Sequence, residues 1–258
     1  MKQEILSYLD KNCPCGGSFH YYKQVNSTNT LAKEMAKQGA PHGTVIVAGS
    51  QSAGRGRMGR TFVSPEGSLY YTMLLRPRCA PAQLMHLTCA VAVAACQAVE
   101  KAAGFRPDIK WVNDLQWQGK KLGGILTELG FTPDGMVDYA IIGIGINCRT
   151  VPQEVSDIAD SLTHVSGKDI SPAPVAAALT QALWEMAGKL LSSKSQIMDT
   201  YRQSCVTLGK PVQVLGKDIH GIAKAITDEG ALVLALPDGE QMLLNMGEVS
   251  VRMQNAEC

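Results

Sequence analysis

The 258-residue sequence has almost no excess charge, since 24 lysines and arginines face 23 aspartates and glutamates for a formal net charge of +1. This balance argues against a protein that coats nucleic acid, because such proteins neutralise phosphates with a surplus of basic side chains. Charged residues make up 18% and hydrophobic residues 45% of the chain. That composition excludes bulk disorder and supplies a hydrophobic core. Any basic binding function must therefore come from local clusters.

Targeting signals are scarce as well. The opening segment MKQEILSYLDKN carries charges where a signal peptide has its apolar core, and we expect no uncharged apolar stretch of the roughly 18 residues that a membrane helix needs. A chain of this length folds without disulfides. Cys89 and Cys96 stand in an apolar run, where cysteine behaves as a small buried hydrophobe. We expect a reducing, cytoplasmic location and no membrane association.

Metal-binding and DNA-reading signals are also weak. Cys13-Pro14-Cys15 offers half of a zinc site, but zinc needs about four ligands and no second pair stands at a suitable spacing. A reduced N-terminal turn is the favoured interpretation. The first 20 or so residues are too short for the two helices and turn that read DNA. We therefore expect no DNA binding.

Apolar spacing and turn signals predict the order of helices and strands. Helical periodicity indicates helices over 28–38, 81–103, 175–191 and 195–206. Short apolar runs indicate strands over 43–50, 68–75, 109–112, 115–117, 122–129 and 139–147. Turn pairs such as Gln118-Gly119 join neighbouring strands into hairpins. Hairpins with helices between them predict an α+β domain on a mixed, mostly antiparallel sheet.

The pattern changes after about residue 207. Short strands alternate there with turn signals such as Gly209-Lys210-Pro211 and Pro237-Asp238-Gly239, which is typical of a small all-β barrel. We predict a first domain over 1–206 and a second over 207–258.

The segment Gly54-Arg-Gly-Arg-Met-Gly-Arg60 is the most distinctive local cluster. Arginine grips carboxylate and phosphate oxygens with a planar fork, and glycine lets the backbone approach and move. The segment is not a phosphate-binding P-loop, because the Gly-Lys-Ser/Thr ending is missing. A solvated charged loop and an RNA-binding Arg-Gly tract stay open as alternatives. Its place between two apolar strands favours a loop that closes over an anionic ligand.

Two later segments indicate a pocket. Lys121 precedes Gly123 and Gly124, and small residues in a strand suit a closely packed ligand, although a lysine in a hairpin can equally be a surface residue. Gly143-Ile-Gly-Ile-Asn147 matches the start of a dinucleotide fingerprint only weakly, since the third glycine is missing. A strand that lines a pocket and ends in an amide is the better interpretation.

Four segments in this order resemble the biotin–protein ligases: Ser27-Thr28-Asn29, Gln51 with GRGRMGR, KWVND followed by KKLGGILTE, and IIGIGIN. The tail segments GKDIHGIAKAITDEGALVL and NMGEVSVR resemble that family's C-terminal SH3-like barrel. The match covers nearly the whole chain. It implies a class II synthetase-like catalytic fold followed by the small barrel.

The resemblance also implies site residues. Arg55, Arg57 and Lys121 would be catalytic. The biotin contacts would be Ser27, Thr28, Asn29, Gln51, Gly54, Arg55, Gly56, Arg57, Lys121, Gly124, Gly143 and Gly145. The ATP contacts would be Arg57, Arg60, Phe62, Lys110, Asn113, Asp114, Lys121 and Asn147. Magnesium would arrive with ATP, with Asp114 as a candidate ligand, and no dedicated metal site is expected.

The sequence departs from the family pattern at three positions. Val112 stands where proline is usual. Valine, unlike proline, has a backbone N–H and a φ angle that no ring restricts. Phe62 replaces an aromatic residue that is often tryptophan, so stacking on adenine should survive. Met58 replaces a position that is frequently basic, which lowers the charge of the loop. We also expect the Gly54–Arg60 loop to be poorly ordered in a ligand-free crystal.

The implied activity is ATP-dependent biotinylation of a lysine on a biotin carboxyl carrier protein through biotinyl-5′-AMP. Substrates and cofactors would be biotin, ATP and Mg²⁺, and a homodimer is possible in this family. A lipoate or octanoate ligase of related fold is the nearest rival. A biotin-responsive DNA-binding repressor and a non-catalytic biotin-binding protein are the rivals from other classes.

Overall fold

A seven-stranded sheet forms the centre of the first part of the chain, with strand order β1-β2-β3-β7-β6-β5-β4. The computed structural model describes residues 1–10, 13 and 18–246, and the backbone of 251–253. The strands of this sheet are β1 Phe19–Val25, β2 Thr44–Gln51, β3 Leu69–Leu75, β4 Asp108–Lys110, β5 Asp114–Trp117, β6 Lys120–Phe131 and β7 Val137–Ile146. Only the pair β1 and β2 is parallel, and the other neighbours are antiparallel. The predicted α+β class with a mixed, mostly antiparallel sheet is confirmed.

Helices cover the sheet and complete the core. They are α1 Lys2–Tyr8, α2 Thr28–Lys37, α3 Leu87–Ala103, α4 Leu162–Ser166, α5 Pro172–Lys189 and α6 Lys194–Ser204. Helix α3 is rich in alanine, and 12 of its 17 residues are buried together with part of α5 and one face of the sheet. Helix α2 lies with Ala32 and Ala36 against a smaller cluster that includes Ile46 and Ile141. The segments predicted to bind a ligand are therefore attached to a buried, packed centre.

One predicted helix is broken in two. The segment 81–103 was expected to be continuous, but Pro81–Leu84 forms a 3-10 turn and α3 begins at Leu87. The backbone of His86 has φ −85° and ψ 3°, and its Nε2 lies 2.9 Å from the carbonyl oxygen of Leu190. The apolar pattern runs straight through this break, so periodicity alone did not reveal it.

The same segment corrects the expectation about membrane helices. Pro81–Ala103 is long and apolar enough to cross a membrane by length and composition. Within the described residues 72% of its most apolar window is buried inside the fold. A buried core helix passes the same compositional test, so the finding is weak evidence for a membrane span.

The predicted strand 109–112 is shorter than expected. Strand β4 ends at Lys110, and a cis peptide bond joins Trp111 and Val112 in the turn that follows. The backbone N–H of Trp111 donates to Oγ1 of Thr207 at 2.9 Å, and the hydroxyl of Tyr201 donates to the carbonyl oxygen of Val112 at 3.1 Å. These two hydrogen bonds take the place of bonds to a neighbouring strand. Thr207 and Tyr201 are far from the turn in the sequence, so no local pattern predicts the contacts. Strand β1 and helix α1 were not predicted.

A second, five-stranded antiparallel sheet follows, with order β11-β10-β9-β8-β12. Its strands are β8 Pro211–Val214, β9 His220–Ile226, β10 Leu232–Ala235, β11 Gln241–Leu244 and β12 Val251–Met253. The predicted small β domain is confirmed, while its boundary at residue 207 stays a prediction. The indole N–H of Trp111 donates to the carbonyl oxygen of Gly230 at 3.0 Å. This bond ties the second sheet to the turn after β4.

The described cysteines are free, and Cys89 and Cys96 are buried as predicted. Pro14 and Cys15 of the proposed metal half-site lie outside the described residues. Among the residues that the structure describes, no group of three or more His, Cys, Asp or Glu side chains is placed to hold a metal.

Substituting Gly43 with alanine should destabilise the fold more than the same change at Gly39. Both glycines have left-handed φ angles, of +81° and +86°, which cost any L side chain about 1 kcal/mol. A Cβ at Gly43 would also lie 2.5 Å from the ring of Trp184, whereas a Cβ at Gly39 meets nothing within 4 Å. Overpacking of this kind costs about 1–3 kcal/mol. Urea unfolding of Gly43→Ala and Gly39→Ala should show that difference, and equal free energies of unfolding would contradict the packing.

Candidate active site

A cavity of about 670 Å³ opens beside the central strands β6 and β7. It brings together most of the residues that the sequence predicted. Those in its lining are Ser27, Thr28, Asn29, Gln51, Arg55, Gly56, Arg57, Arg60, Phe62, Lys110, Asn113, Asp114, Lys121, Gly124, Gly143 and Gly145. Two predicted residues, Gly54 and Asn147, are not part of the lining.

The N-terminus of helix α2 forms one end of the cavity. Ser27 caps the helix, and its Oγ accepts from the backbone N–H of Thr30 at 3.5 Å. Oε1 of Gln51 accepts from both the backbone N–H and the hydroxyl of Thr28, at 2.9 and 3.2 Å. The Nε2 of Gln51 donates to Ser64 at 2.9 Å, which fixes the orientation of the amide. This end of the cavity is built from oriented, uncharged polar groups.

Two glycines of β7 make room for side chains from outside the sheet. A Cβ at Gly143 would overlap Oδ1 of Asn29, and a Cβ at Gly145 would lie 2.5 Å from the ring of Phe62. Both glycines lie inside a strand that pairs with β3 and β6. The glycines therefore shape a pocket wall, and they do not open a dinucleotide-binding turn.

The Gly54–Arg60 loop is folded back on itself by an antiparallel bridge between Arg55 and Thr61. A Cβ at Gly54 would lie 2.5 Å from Oγ of Ser64 and would overlap the carbonyl oxygen of Phe62. Gly54 is therefore required by the closure of the loop, which explains why it is absent from the lining. Met58 has a left-handed backbone with φ 55° and is 57% exposed. Poor ordering of this loop in a ligand-free crystal stays a prediction.

Arg57 lies deepest of the loop arginines whose contacts the structure gives. Its Nη1 donates to Oδ1 of Asn113 at 3.0 Å, and its Nη2 donates to the carbonyl oxygen of Met246 in the second domain. Burial lowers the pKa of Arg57 below its ordinary value, and the negative charge of Asp114 opposes that shift. The guanidinium keeps its proton, because arginine is not deprotonated in proteins. Its positive charge therefore faces the cavity.

Lys121 and Asp114 form an ion pair on the cavity wall, with Nζ and Oδ1 2.6 Å apart. Asp114 is opposite Gly124 across β5 and β6. A Cβ at Gly124 would lie 3.2 Å from Nζ of Lys121. The absence of a side chain there lets the ammonium lie close to the strand on the cavity wall.

Asn147 has a different place from the one predicted. Its Nδ2 donates to the carbonyl oxygen of Asp160 at 3.0 Å and lies 3.4 Å from that of Lys121. The amide thus holds the segment 157–160 against the start of β6, with its neighbour Ile158 in the lining. The structure gives Asn147 a supporting position behind the cavity wall.

Several lining residues were not predicted. They are Thr61, Tyr70, Trp111, Gln116, Gly119, Ile125, Leu126, Ile144, Asp157, Ile158 and Leu215. Thr61 directly follows the Gly54–Arg60 motif, and Trp111 lies within the KWVND motif. Both residues could therefore have been predicted from these motifs. Leu215 comes from the turn after β8, and no pattern in the sequence places that turn beside the first domain.

The cavity lining combines five basic side chains with two carboxylates. The sequence model of the Biotin/lipoate A/B protein ligase family matches residues 21–147, and that of the Biotin protein ligase C terminal domain matches residues 207–252. The bifunctional ligase/repressor BirA of Bacillus spizizenii is 37% identical over 227 residues, which cover 85% of this chain and 70% of that protein. The biotin--[acetyl-CoA-carboxylase] ligase of Paracoccus denitrificans is 30% identical over 230 residues, 85% of this chain and 95% of that protein.

The structural comparison agrees. The biotin protein ligase from Aquifex aeolicus, solved in complex with biotin and ATP, has a TM-score of 0.78 and 29% sequence identity to this chain. The match covers 92% of this chain and 99% of the Aquifex chain. The chain belongs to the biotin protein ligase family, as its sequence predicted.

Replacing Arg57 with alanine should loosen two segments at once. The change removes the donors to Asn113 and to the carbonyl of Met246, so backbone exchange should rise both in the Gly54–Arg60 loop and around residue 246. Hydrogen exchange followed by mass spectrometry measures both segments. Arg60→Ala is the matched control, since Arg60 lies in the same loop and lining. Unchanged exchange around residue 246 in Arg57→Ala would contradict the link between the domains.

Proposed function

We propose that the protein binds biotin and ATP, forms biotinyl-5′-adenylate, and transfers biotin to a lysine of a biotin carboxyl carrier protein. The observation that carries this proposal is the meeting of Arg55, Arg57 and Lys121 at one cavity with the uncharged polar residues Ser27, Thr28, Asn29 and Gln51. A ligand with a neutral polar ring and a carboxylate tail fits that combination. The Aquifex aeolicus relative in complex with biotin and ATP supports the choice of ligands.

The uncharged end would receive the ureido ring of biotin. That ring has one carbonyl acceptor and two N–H donors. Ser27 and Thr28 at the start of α2 offer hydroxyls and a helix N-terminus, and these groups suit a carbonyl oxygen. Asn29 and Gln51 add amide groups at the same end. Gly124, Gly143 and Gly145 would line the slot that receives the bicyclic ring.

The charged end would support the first chemical step. A biotin carboxylate oxygen attacks the α-phosphorus of ATP, a new acyl–phosphate bond forms, and pyrophosphate leaves. Both partners are anions, so positive groups must offset their repulsion. Arg55, Arg57 and Lys121 would do so, and such electrostatic stabilisation is commonly the largest catalytic contribution.

The second step needs no covalent enzyme intermediate. The neutral amine of the acceptor lysine attacks the acyl carbon of the adenylate, an amide forms, AMP leaves, and the amine gives up a proton. Arg55 and Gly56 of the Gly54–Arg60 loop would cover the mixed anhydride until the acceptor arrives. Exclusion of water protects such a reactive intermediate from hydrolysis.

ATP would occupy the side of the cavity near β4 and β5. Arg60, Lys110 and Asn113 would face the phosphates and ribose, and Phe62 would lie against the base. Magnesium would be carried by the triphosphate, since this ion keeps most of its water and commonly takes one or two carboxylates. Asp114 and Asp157 are the carboxylates in the cavity lining, and that small donor set fits an ion shared with a nucleotide.

The decisive experiment is mass detection of biotinyl-adenylate after incubation with biotin, ATP and magnesium. Pyrophosphate exchange with biotin or lipoate as the acid separates the two ligase classes, and exchange that depends on lipoate would overturn the proposal. Binding without ATP turnover would instead indicate a biotin-binding protein. Because several relatives are bifunctional ligase/repressors, a titration with duplex DNA at several salt concentrations tests the repressor alternative.

Arg55→Ala should fold normally and lose the intermediate. Arg55 has a side chain that is 47% exposed, and Glu128 keeps its contacts to Asn29 and Lys33 when Arg55 is removed. Without its charge above the pocket, biotinyl-adenylate should leave or hydrolyse faster. Rapid gel filtration followed by mass spectrometry measures how much adenylate stays bound. Retention equal to that of the parent protein would show that Arg55 does not hold the intermediate.

A further inference from the structure

We propose that Glu128, a residue of β6 behind the cavity lining, fixes the orientation of the Asn29 amide so that the pocket accepts a ligand N–H. The inference rests on the proposed function, because it concerns the end of the cavity assigned to the ureido ring. Glu128 was not singled out by its sequence. The carboxylate is largely buried, with 16% of its side chain exposed.

Glu128 joins three segments that shape this end of the cavity. Its Oε2 accepts from Nδ2 of Asn29 at 3.1 Å, and its Oε1 accepts from Nζ of Lys33 at 3.0 Å. Nη1 of Arg55 lies 3.3 Å from Oε1. One carboxylate therefore links the start of helix α2, the next turn of that helix and the Gly54–Arg60 loop.

The Asn29 amide is hydrogen-bonded almost completely within the protein. Its Nδ2 donates to Glu128 and also to the carbonyl oxygen of Leu126 at 3.2 Å. Its Oδ1 accepts from the hydroxyl of Thr72 at 2.8 Å. A primary amide has two donor hydrogens and two acceptor positions on its oxygen. Both donors are used, and the described residues supply only one donor to the oxygen.

The orientation of the amide follows from the chemistry of these neighbours. Thr72 carries a hydroxyl, which can donate or accept, so it would tolerate either orientation of the amide. A carboxylate and a backbone carbonyl can only accept. With Glu128 and Leu126 both facing the nitrogen, the reverse orientation would place oxygen against two acceptors. Asn29 therefore keeps its oxygen packed against Gly143 in the cavity lining, and a ligand N–H would use the acceptor position that Thr72 leaves open.

Glu128 keeps its charge at neutral pH. Partial burial raises the pKa of this carboxyl, but hydrogen bonds from Lys33 and Asn29 and the charge of Arg55 outweigh it, so the pKa lies below its ordinary value. The ionised group is the form that has no hydrogen to donate. The pair with Arg55 is the most exposed of the three contacts, so Arg55 can turn to a ligand anion while Asn29 stays fixed.

The test uses calorimetric biotin binding by the full chain without ATP, for the parent, Glu128→Ala and Glu128→Gln. Loss of the fixed acceptor should weaken biotin binding about five- to tenfold in Glu128→Ala. Glutamine keeps an acceptor for Asn29, so Glu128→Gln should stay within about twofold of the parent. Equal weakening in both variants would show that charge, not amide orientation, is what matters, and would overturn the proposal.

A merely structural role is excluded with two biotin analogues, each methylated at one ureido nitrogen. The parent should discriminate against the analogue that lacks the N–H facing Asn29. In Glu128→Ala that discrimination, the ratio of the analogue Kd to the biotin Kd, should fall about five- to tenfold. An unchanged ratio for both analogues would overturn the proposal.

Matched controls keep the outcomes distinguishable. Glu100 pairs with Arg106 on the surface and is outside the cavity lining, so Glu100→Ala and Glu100→Gln should bind biotin like the parent.

If Glu128→Ala does not fold, the Asn29 side-chain amide of the parent is followed by NMR, and both protons should stay protected with and without biotin. Exchange at the solvent rate would overturn the proposal. A parent that binds no biotin would instead refute the proposed function itself.

Discussion

The cavity wall depends on three positions of two adjacent central strands that carry no side chain. Gly143 and Gly145 on β7 and Gly124 on β6 lie where Asn29, Phe62 and Lys121 come close to the sheet. Any Cβ at Gly143 would displace Asn29, and that would move the start of helix α2 away from the wall. The site thus depends on close packing in the middle of a rigid sheet, and interiors transmit such changes because they are densely packed.

Three positive groups of the site are held by oxygen atoms of the protein itself. Arg55 faces Glu128, Arg57 faces Asn113, and Lys121 faces Asp114. A ligand anion that binds one of these three groups therefore exchanges with its protein partner. The exchange is inexpensive for the exposed Arg55 pair, since such pairs contribute little in water. Arg57 is more buried, and its two acceptors would need new donors if it moved.

The sequence predicted the class of the fold and most of the lining, because each prediction rested on local chemistry. Helical and strand periodicity, paired turn residues and the Gly54–Arg60 motif all act over a few residues. The failures are contacts made across the fold. Glu128 is one residue in an ordinary strand until Asn29, 99 positions away, is brought beside it. The short β4 and the supporting position of Asn147 likewise depend on partners such as Thr207 and Asp160.

The second domain belongs to the architecture of the site through a few specific contacts. Trp111 bonds to Gly230, Arg57 bonds to Met246, and Leu215 reaches the cavity lining. Trp111 and Arg57 both adjoin the side of the cavity assigned to ATP. Order in the loop that carries Arg57 is therefore coupled to the position of the small β sheet. The guanidinium that lines the cavity is also the one that holds the Met246 carbonyl, so the cavity and the contact between the domains share one side chain.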